Sequence, residues 1–393
     1  MTKFIKLGLS EPIANALKDF EYIEPTEIQE KSIPVILAGK DIMACAQTGS
    51  GKTAAFALPI IEYIQVPSNK PKALILAPTR ELAMQVKDQF VRFAKNHKLR
   101  SVTLYGGTGY GAQMKALSRG VDIIIATPGR LFDFVQRNLV DLSKIEILVL
   151  DEADRLLDMG FMPQVRKLVH KLPKDRQTLM FSATIDERIV RIGAEFLRNP
   201  ITIRMSAKQI EPSTIDQQVY HVKEFGKDAL LLELIQKQNM SSVLVFTRTR
   251  RRATWVKSRL RAANVLAEEI HGDITQYQRE KTLARYRAGA FPVLVATDVA
   301  ARGLDIPAIS HVINYDLPDS PHDYVHRIGR TGRAGRSGMA LSFIGEGQRS
   351  LVRDIERVIG RVLDPNAPKP SSNASATPTA QVRRFRPRSK RRR

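Results

Sequence analysis

An apolar run in the chain ends in acids: Leu148-Val149-Leu150-Asp151-Glu152-Ala153-Asp154. Two adjacent carboxylates at the carboxyl end of a buried strand can divide a hydrolysis between them. Asp151 can hold a Mg²⁺, and Glu152 can orient and deprotonate an attacking water. The same letters also fit an acidic turn in which Asp154 caps a helix from Arg155. Upstream lies a segment that favours chemistry: Ala46-Gln47-Thr48-Gly49-Ser50-Gly51-Lys52-Thr53. A strand-like run, 41–45, precedes it, and helix-forming residues follow Thr53. Gly49 and Gly51 allow backbone N–H groups around Thr48 and Ser50 to close on phosphate oxygens, and a helix N-terminus adds positive potential. Lys52 would reach the β and γ phosphates of a bound nucleotide, and the Thr53 hydroxyl would ligate Mg²⁺. The usual pattern begins with Gly; position 46 is Ala.

These residues need a frame that brings strand ends together. Apolar strand-like runs recur at 73–77, 102–105, 121–126, 145–150 and 178–181, and again at 243–246, 293–296, 311–315 and 339–343, with helical stretches between. Strands alternating with helices predict parallel sheets covered by helices. Residues 205–215 lack periodicity and read as a linker, which divides the chain into units at 1–204 and 216–363. From 364 to 393, Pro, Ser, Ala and Thr give way to Arg, which predicts a disordered basic tail.

Charge narrows the partners. The 393 residues carry a net charge of +22. Eight cations and no acid lie in 371–393, yet without them the chain still carries +14. A basic body points to a polyanion. The single cysteine, Cys45, excludes an internal disulfide and a cysteine-based zinc site. No apolar stretch is long enough for a membrane span, and residues 1–5 lack the apolar core of a signal peptide. A reducing, cytoplasmic setting is expected.

Further motifs follow in a fixed order. Pro25-Thr26-Glu27-Ile28-Gln29 lies behind Tyr22; Thr26 and Gln29 also have the spacing of a helix capping box. Pro78-Thr79-Arg80-Glu81-Leu82-Ala83, Gly106-Gly107 and Thr127-Pro128-Gly129-Arg130 each follow a strand-like run, and Ser182-Ala183-Thr184 ends another. The second half holds Phe246-Thr247-Arg248, Gln276-x-x-Arg279, a run from Ala296-Thr297-Asp298 to Arg302-Gly303-Leu304-Asp305, and His326-Arg327-Ile328-Gly329-Arg330-Thr331-Gly332-Arg333.

Taken together, this set resembles the DEAD-box RNA helicases of helicase superfamily 2, over about residues 4–345. The compact core and short basic tail resemble the bacterial RhlE-type branch. The resemblance implies two RecA-like domains and hydrolysis of ATP with Mg²⁺, coupled to local RNA unwinding or ribonucleoprotein remodelling. An ATP-dependent RNA clamp with incidental turnover is the alternative, since its motifs are the same.

By the same resemblance, Tyr22 and Gln29 meet the adenine, with Phe4 behind Tyr22, and Asp305 approaches the ribose. The family Gly before that aromatic is Glu21 here. Pro78, Thr79, Arg80, Gly107, Thr127, Pro128, Arg130, Arg248, Thr297 and Gly303 line an RNA groove, contacting phosphate and sugar without reading sequence. Arg330 and Arg333 are arginine fingers. Ser182, Thr184, His326 and Arg327 couple the acidic run to domain closure. Neither half is then a complete enzyme, and RNA and ATP should each raise the other's affinity. Expected partners are RNA, with ribosomal particles or the RNA-decay machinery as candidates, and the chain is expected to act as a monomer away from membranes.

Overall fold

The computed structural model describes residues 3–20, 22–46, 49–64, 67–68, 70–205, 215–237, 240–301, 309–332 and 337–363. The sequence assignments for Thr48, Gly303, Asp305, Arg333, most of the linker and the whole tail fall outside those residues, as does the side chain of Gln276.

Most of the apolar runs become strands buried on both faces, as parallel sheets between helices demand, while the run at 102–105 alternates and buries one face at a sheet edge. The first half gives β1 Ile42–Cys45, β2 Ala73–Leu76, β3 Ser101–Leu104, β4 Ile123–Ala126, β5 Ile147–Leu150, β6 Gln177–Ser182 and β7 Ile201–Arg204. The second half gives β8 Ile215–His221, β9 Val243–Thr247, β10 Ala267–Ile270, β11 Val293–Thr297, β12 His311–Asn314 and β13 Gly338–Ile344. Ile215, assigned to the linker from sequence, already lies in β8.

The strands pair as two sheets, β3-β4-β2-β5-β6-β1-β7 and β10-β11-β9-β12-β13-β8. Every pair is parallel. The first sheet carries a core on each face. One is built with Phe56, Ile60, Phe90 and Phe181, the other with Leu74, Phe134, Leu148 and Leu156. Truncating one of these side chains to Ala removes contacts on a fully packed face, at a cost of about 2–5 kcal/mol.

Parallel strands put all their carboxyl ends on one edge, and the register aligns those ends. Cys45 pairs with Ser182, and Leu150 with Met180. Only β6 separates β1 from β5. The turn after β1 and the acids after β5 therefore emerge about 10 Å apart, two strand spacings.

Candidate active site and interface between the halves

The Gly-rich turn ends at Lys52, which opens the helix Lys52–Ile64. Gly51 sits at φ +95, where a side chain is strained, and a Cβ there would lie 2.4 Å from the Gln29 amide. This close approach is specific. Gln29 is fully buried and donates from Nε2 to the Gly51 carbonyl at 3.1 Å, while its Oε1 accepts from Thr26 N at 3.0 Å. The capping box and the tie to the turn thus use one amide. Tyr22 stands edge-on to Phe93, ring centres 5.4 Å apart, with Phe4 buried in the same core.

After β5, Asp151 N donates to Leu76 O at 3.0 Å, so the acidic run extends the ladder before turning. Glu152 then adopts φ 50 and ψ 55 and caps the helix Ala153–Asp158. A left-handed backbone costs a non-glycine residue roughly 1–2 kcal/mol. Such strain survives only where surrounding contacts fix it, and it gathers at functional sites. The three acids are spent differently. Glu152 accepts from Arg155 Nη1 at 2.5 Å. Asp154 accepts from Ala183 N at 3.0 Å and Thr184 Oγ1 at 3.5 Å, and so holds the Ser182–Thr184 turn. Asp151 Oδ1 is buried without a hydrogen-bond partner, and so is Lys52 Nζ.

Burial pushes the Asp151 carboxyl up to about 7; Lys52 opposes this and Glu152 adds to it. A buried ammonium and a buried carboxylate oxygen without hydrogen-bond partners are costly. A nucleotide phosphate and its cation would supply those partners. Among the described residues no cluster of His, Cys, Asp and Glu makes an all-protein metal cage. Mg²⁺ is commonly held by one or two carboxylates plus substrate phosphates, a donor set that Asp151 beside Lys52 fits. Thr53 is half-buried one residue beyond Lys52. Cys45, at the end of β1, is half-buried and donates from Sγ to Ala183 O at 3.4 Å.

The second half reaches this site. His326 Nδ1 lies 3.4 Å from Arg155 Nη2. Arg330 is buried in the turn after the helix Pro321–Ile328, which carries His326, with its N–H on Arg327 O at 3.0 Å. Arg327 does not cross over. Its guanidinium grips Asp298 through two bonds of 2.6 Å, donates to Asn314 Oδ1 at 3.1 Å and to the Asp316 carbonyl, and lies over the Phe246 ring. All these partners belong to the second half. This corrects the expectation that Arg327 couples the halves, because its donors are consumed in bracing strand ends β9, β11 and β12.

A second contact between the halves was not found from sequence. Glu81 and Arg279 are both buried, with Oε1 and Nε 3.1 Å apart but out of line for a hydrogen bond, so the attraction is ionic. Arg279 also donates to the Ala300 carbonyl. Burial lowers its guanidinium from the usual range against the pull of Glu81. Pro78, Thr79, Arg80, Gly106 and Thr127 gather with Arg279 around a cleft of about 200 Å³. Thr79 caps the helix Arg80–Phe93, accepting from Leu82 N at 3.2 Å. Gly107, at φ +82, lies under the Arg80 guanidinium, 2.6 Å from where a Cβ would be.

Other members of that sequence set stand elsewhere. Pro128 opens the helix Pro128–Gln136, with Thr127 of that cleft at its N-cap. Arg130 turns its guanidinium over the Tyr110 ring, 4.4 Å from its centre, and donates to Thr108 O at 2.7 Å. Arg248 pairs with Asp319 at 3.2 Å beside a different cleft, of about 700 Å³, together with Lys223, Phe225 and Arg252. Thr297, buried, pairs in register with Thr247.

Known proteins share this family and this fold. Residues 26–192 match the DEAD/DEAH box helicase family, and residues 226–335 match the helicase conserved C-terminal domain. The ATP-dependent RNA helicase CshA of Listeria monocytogenes is 44% identical over 93% of this chain and 70% of its own length. The RNA helicase CrhR of Synechocystis is 43% identical over 92% and 73%. Dbp5 of S. cerevisiae bound to RNA and ADP BeF3 superposes with a TM-score of 0.82 at 32% identity, over 92% of this chain and 94% of that one. Mss116p bound to ssRNA and AMP-PNP gives 0.82 at 31%, over 90% and 76%. Two RecA-like domains and an acidic strand end paired with a phosphate-loop turn therefore have one reading: the chain belongs to the DEAD-box ATP-dependent RNA helicases, enzymes whose ATPase activity RNA stimulates.

Proposed function

We propose that this chain hydrolyses ATP to ADP and phosphate when RNA has drawn its two halves together. The cycle is used to separate short RNA duplexes locally or to remodel RNA–protein complexes. The observation that carries this is the buried Lys52 Nζ and Asp151 Oδ1, both without a hydrogen-bond partner, beside a left-handed Glu152, with His326 of the other half at hand.

Lys52 binds the phosphates, and Thr53 with Asp151 holds Mg²⁺. When bound, that ion spreads the charge that develops on the phosphoryl oxygens. The free oxygen of Glu152 orients the attacking water and takes its proton. Arg330, carried by the second half, brings positive charge to the transferring group, and Arg333 is assigned the same task by motif. Charge supplied in this way is worth roughly 10³–10⁵ in rate in comparable enzymes, so turnover is slow while the halves are apart. Gln29 reads the adenine by exchanging its bonds to Thr26 and Gly51 for the base edge.

RNA lies along the cleft of Arg80 and Thr127 and across to the second half, held through phosphate and sugar. An RhlE-type subfamily, a cytoplasmic setting and action as a monomer complete the reading; they rest on the short basic tail and on general composition. Among the described residues no helix is long and apolar enough to cross a membrane.

The test is Glu152→Gln. ATP and RNA still bind, and turnover falls by about 10²–10⁴, the range for a lost general base. Turnover at the wild-type rate would remove Glu152 from this role. Release of a short labelled strand, with and without ATP, separates a helicase from a clamp.

A further inference from the structure

One buried cation beside the acidic run has no part in the reading above. Arg155 is 3% exposed and lies in the first turn after Glu152. Its two terminal nitrogens face opposite halves of the molecule. Nη1 donates to Glu152 Oε2 at 2.5 Å, and Nη2 lies 3.4 Å from His326 Nδ1. Arginine only donates. His326 must therefore accept through the Nδ1 lone pair, and that contact exists only when the halves meet.

We infer that Arg155 is a positioning residue for hydrolysis: it fixes the Glu152 carboxylate from its own helix and ties that position to the arrival of His326. Three facts converge on it. The Glu152 backbone is left-handed, so its carboxylate needs an outside anchor to keep one direction. The anchor takes one oxygen and leaves the other for water. Asp151 and Asp154 flank Glu152, and Asp154 is engaged by Ala183 N and Arg155 N, which leaves the Arg155 side chain as the hydrogen-bonded cation on Glu152.

The guanidinium is planar and offers two donors in a fixed fork; an ammonium is a single point of charge. Lysine at 155 can therefore answer Glu152 or His326, but not both in one geometry. The alternative is a buried ion pair that only stabilises the helix Ala153–Asp158. The two differ in what they predict for His326, which has no part in that helix.

The inference rests on Glu152 being the base, and the experiment keeps the two apart. Steady-state ATP hydrolysis by the full chain is measured with saturating single-stranded poly(U), for Arg155→Lys, His326→Ala, their double variant and Glu152→Gln. Arg155→Lys is expected to lower kcat by about 10–100-fold, the cost of a mis-set catalytic group. KM for ATP should stay within about threefold, because the loss falls on the chemical step rather than on ground-state binding. The double variant should be no slower than the slower single variant, because both break one connection.

Wild-type kcat in Arg155→Lys overturns the inference, as does a double variant whose losses multiply. If Glu152→Gln turns over normally, it is the base assignment that falls. Thermal melting of each variant guards against simple unfolding. Should both Arg155→Lys and Arg155→Gln unfold, His326 supplies the test from the other side. His326→Gln keeps an acceptor for Arg155 and His326→Lys does not, so the first must hydrolyse ATP faster; equal rates overturn the link.

Discussion

Two buried carboxylates stand at strand ends in the two halves, and they are treated in opposite ways. Asp151 follows β5; Asp316 follows β12 by two residues. Burial alone pushes both carboxyls up. At Asp316 this is overcome: Arg248 N donates to it at 3.0 Å, Lys227 donates at 2.9 Å, and its carboxyl is held below the ordinary range. At Asp151 nothing answers Oδ1, and the carboxyl rises to about 7. The second half uses its charge to hold itself together, through Asp316 and Lys227 and through Arg327, Asp298 and Asn314. In the first half, Lys52 and the Glu152 backbone only partly offset the burial of Asp151 where β1 and β5 open. Buried charge left so costly gathers at functional sites. Among the described residues these two strand-end carboxylates are therefore answered differently, which supports the proposed nucleotide site at Asp151.

The sharpest way to break this contrast is Asp316→Asn. Removing one partner of a buried pair strands the other charge, Lys227, which keeps the exposed Glu224 at 2.9 Å and the face of the Tyr315 ring. The expected loss is about 3 kcal/mol of unfolding stability, read from urea denaturation at neutral pH. The pH dependence has a definite sign. A carboxyl lowered by folding contributes stability above its ordinary value of 3.8, and that stability is lost as the pH falls through its folded value. Wild type and variant should therefore converge in acid. A variant as stable as wild type at neutral pH would mean that Asp316 braces nothing.

A smaller effect tests whether the halves communicate through charge. Glu81→Gln leaves Arg279 buried with the Ala300 carbonyl but without its counter-ion. RNA affinity is measured with and without a non-hydrolysable ATP analogue. The ratio of the two affinities should fall about tenfold, within the usual 1–3 kcal/mol of coupling between sites. An unchanged ratio would make the pair mere packing, and the contrast would then stop at the boundary of each half.

What was legible in the sequence follows the same division. The strands that carry the site were readable because both of their faces are buried, as in Ile123–Ala126 and Ile147–Leu150. β7, β8 and β10 were missed. In β7 only Ile203 is buried, and β8 and β10 mix in Asp, Gln and Glu, so none forms an apolar run. All three are sheet edges. Lys52, Asp151 and Glu152 could be proposed from the sequence because a phosphate site needs fixed residue types at fixed spacing, and the fold brings the three close together. Arg155 and the Glu81–Arg279 pair were not. Their roles depend on how the halves meet, and no spacing along the chain encodes that. Arg327 was expected to couple the halves; its motif is recognisable, but that its four hydrogen bonds all go to the second half is a property of the folded second sheet.

The smallest effect sharpens the contrast most. Asp151→Asn, with chelator present and nucleotide absent, removes a buried charge whose Oδ1 has no hydrogen bond to lose. The desolvation cost disappears, and so does the attraction to Lys52. The two changes oppose each other, and the net change in stability should stay within about 1 kcal/mol, far below the cost at Asp316. Saturating Mg²⁺ and ATP analogue should then separate the proteins. Wild type gains about 2.7 kcal/mol at a ligand concentration one hundred times its Kd, by linkage. The variant, lacking the carboxylate that meets the cation, gains markedly less. If Asp151→Asn instead destabilises the free protein as much as Asp316→Asn does, then Asp151 is a structural brace like its counterpart, and the contrast no longer supports a nucleotide site there.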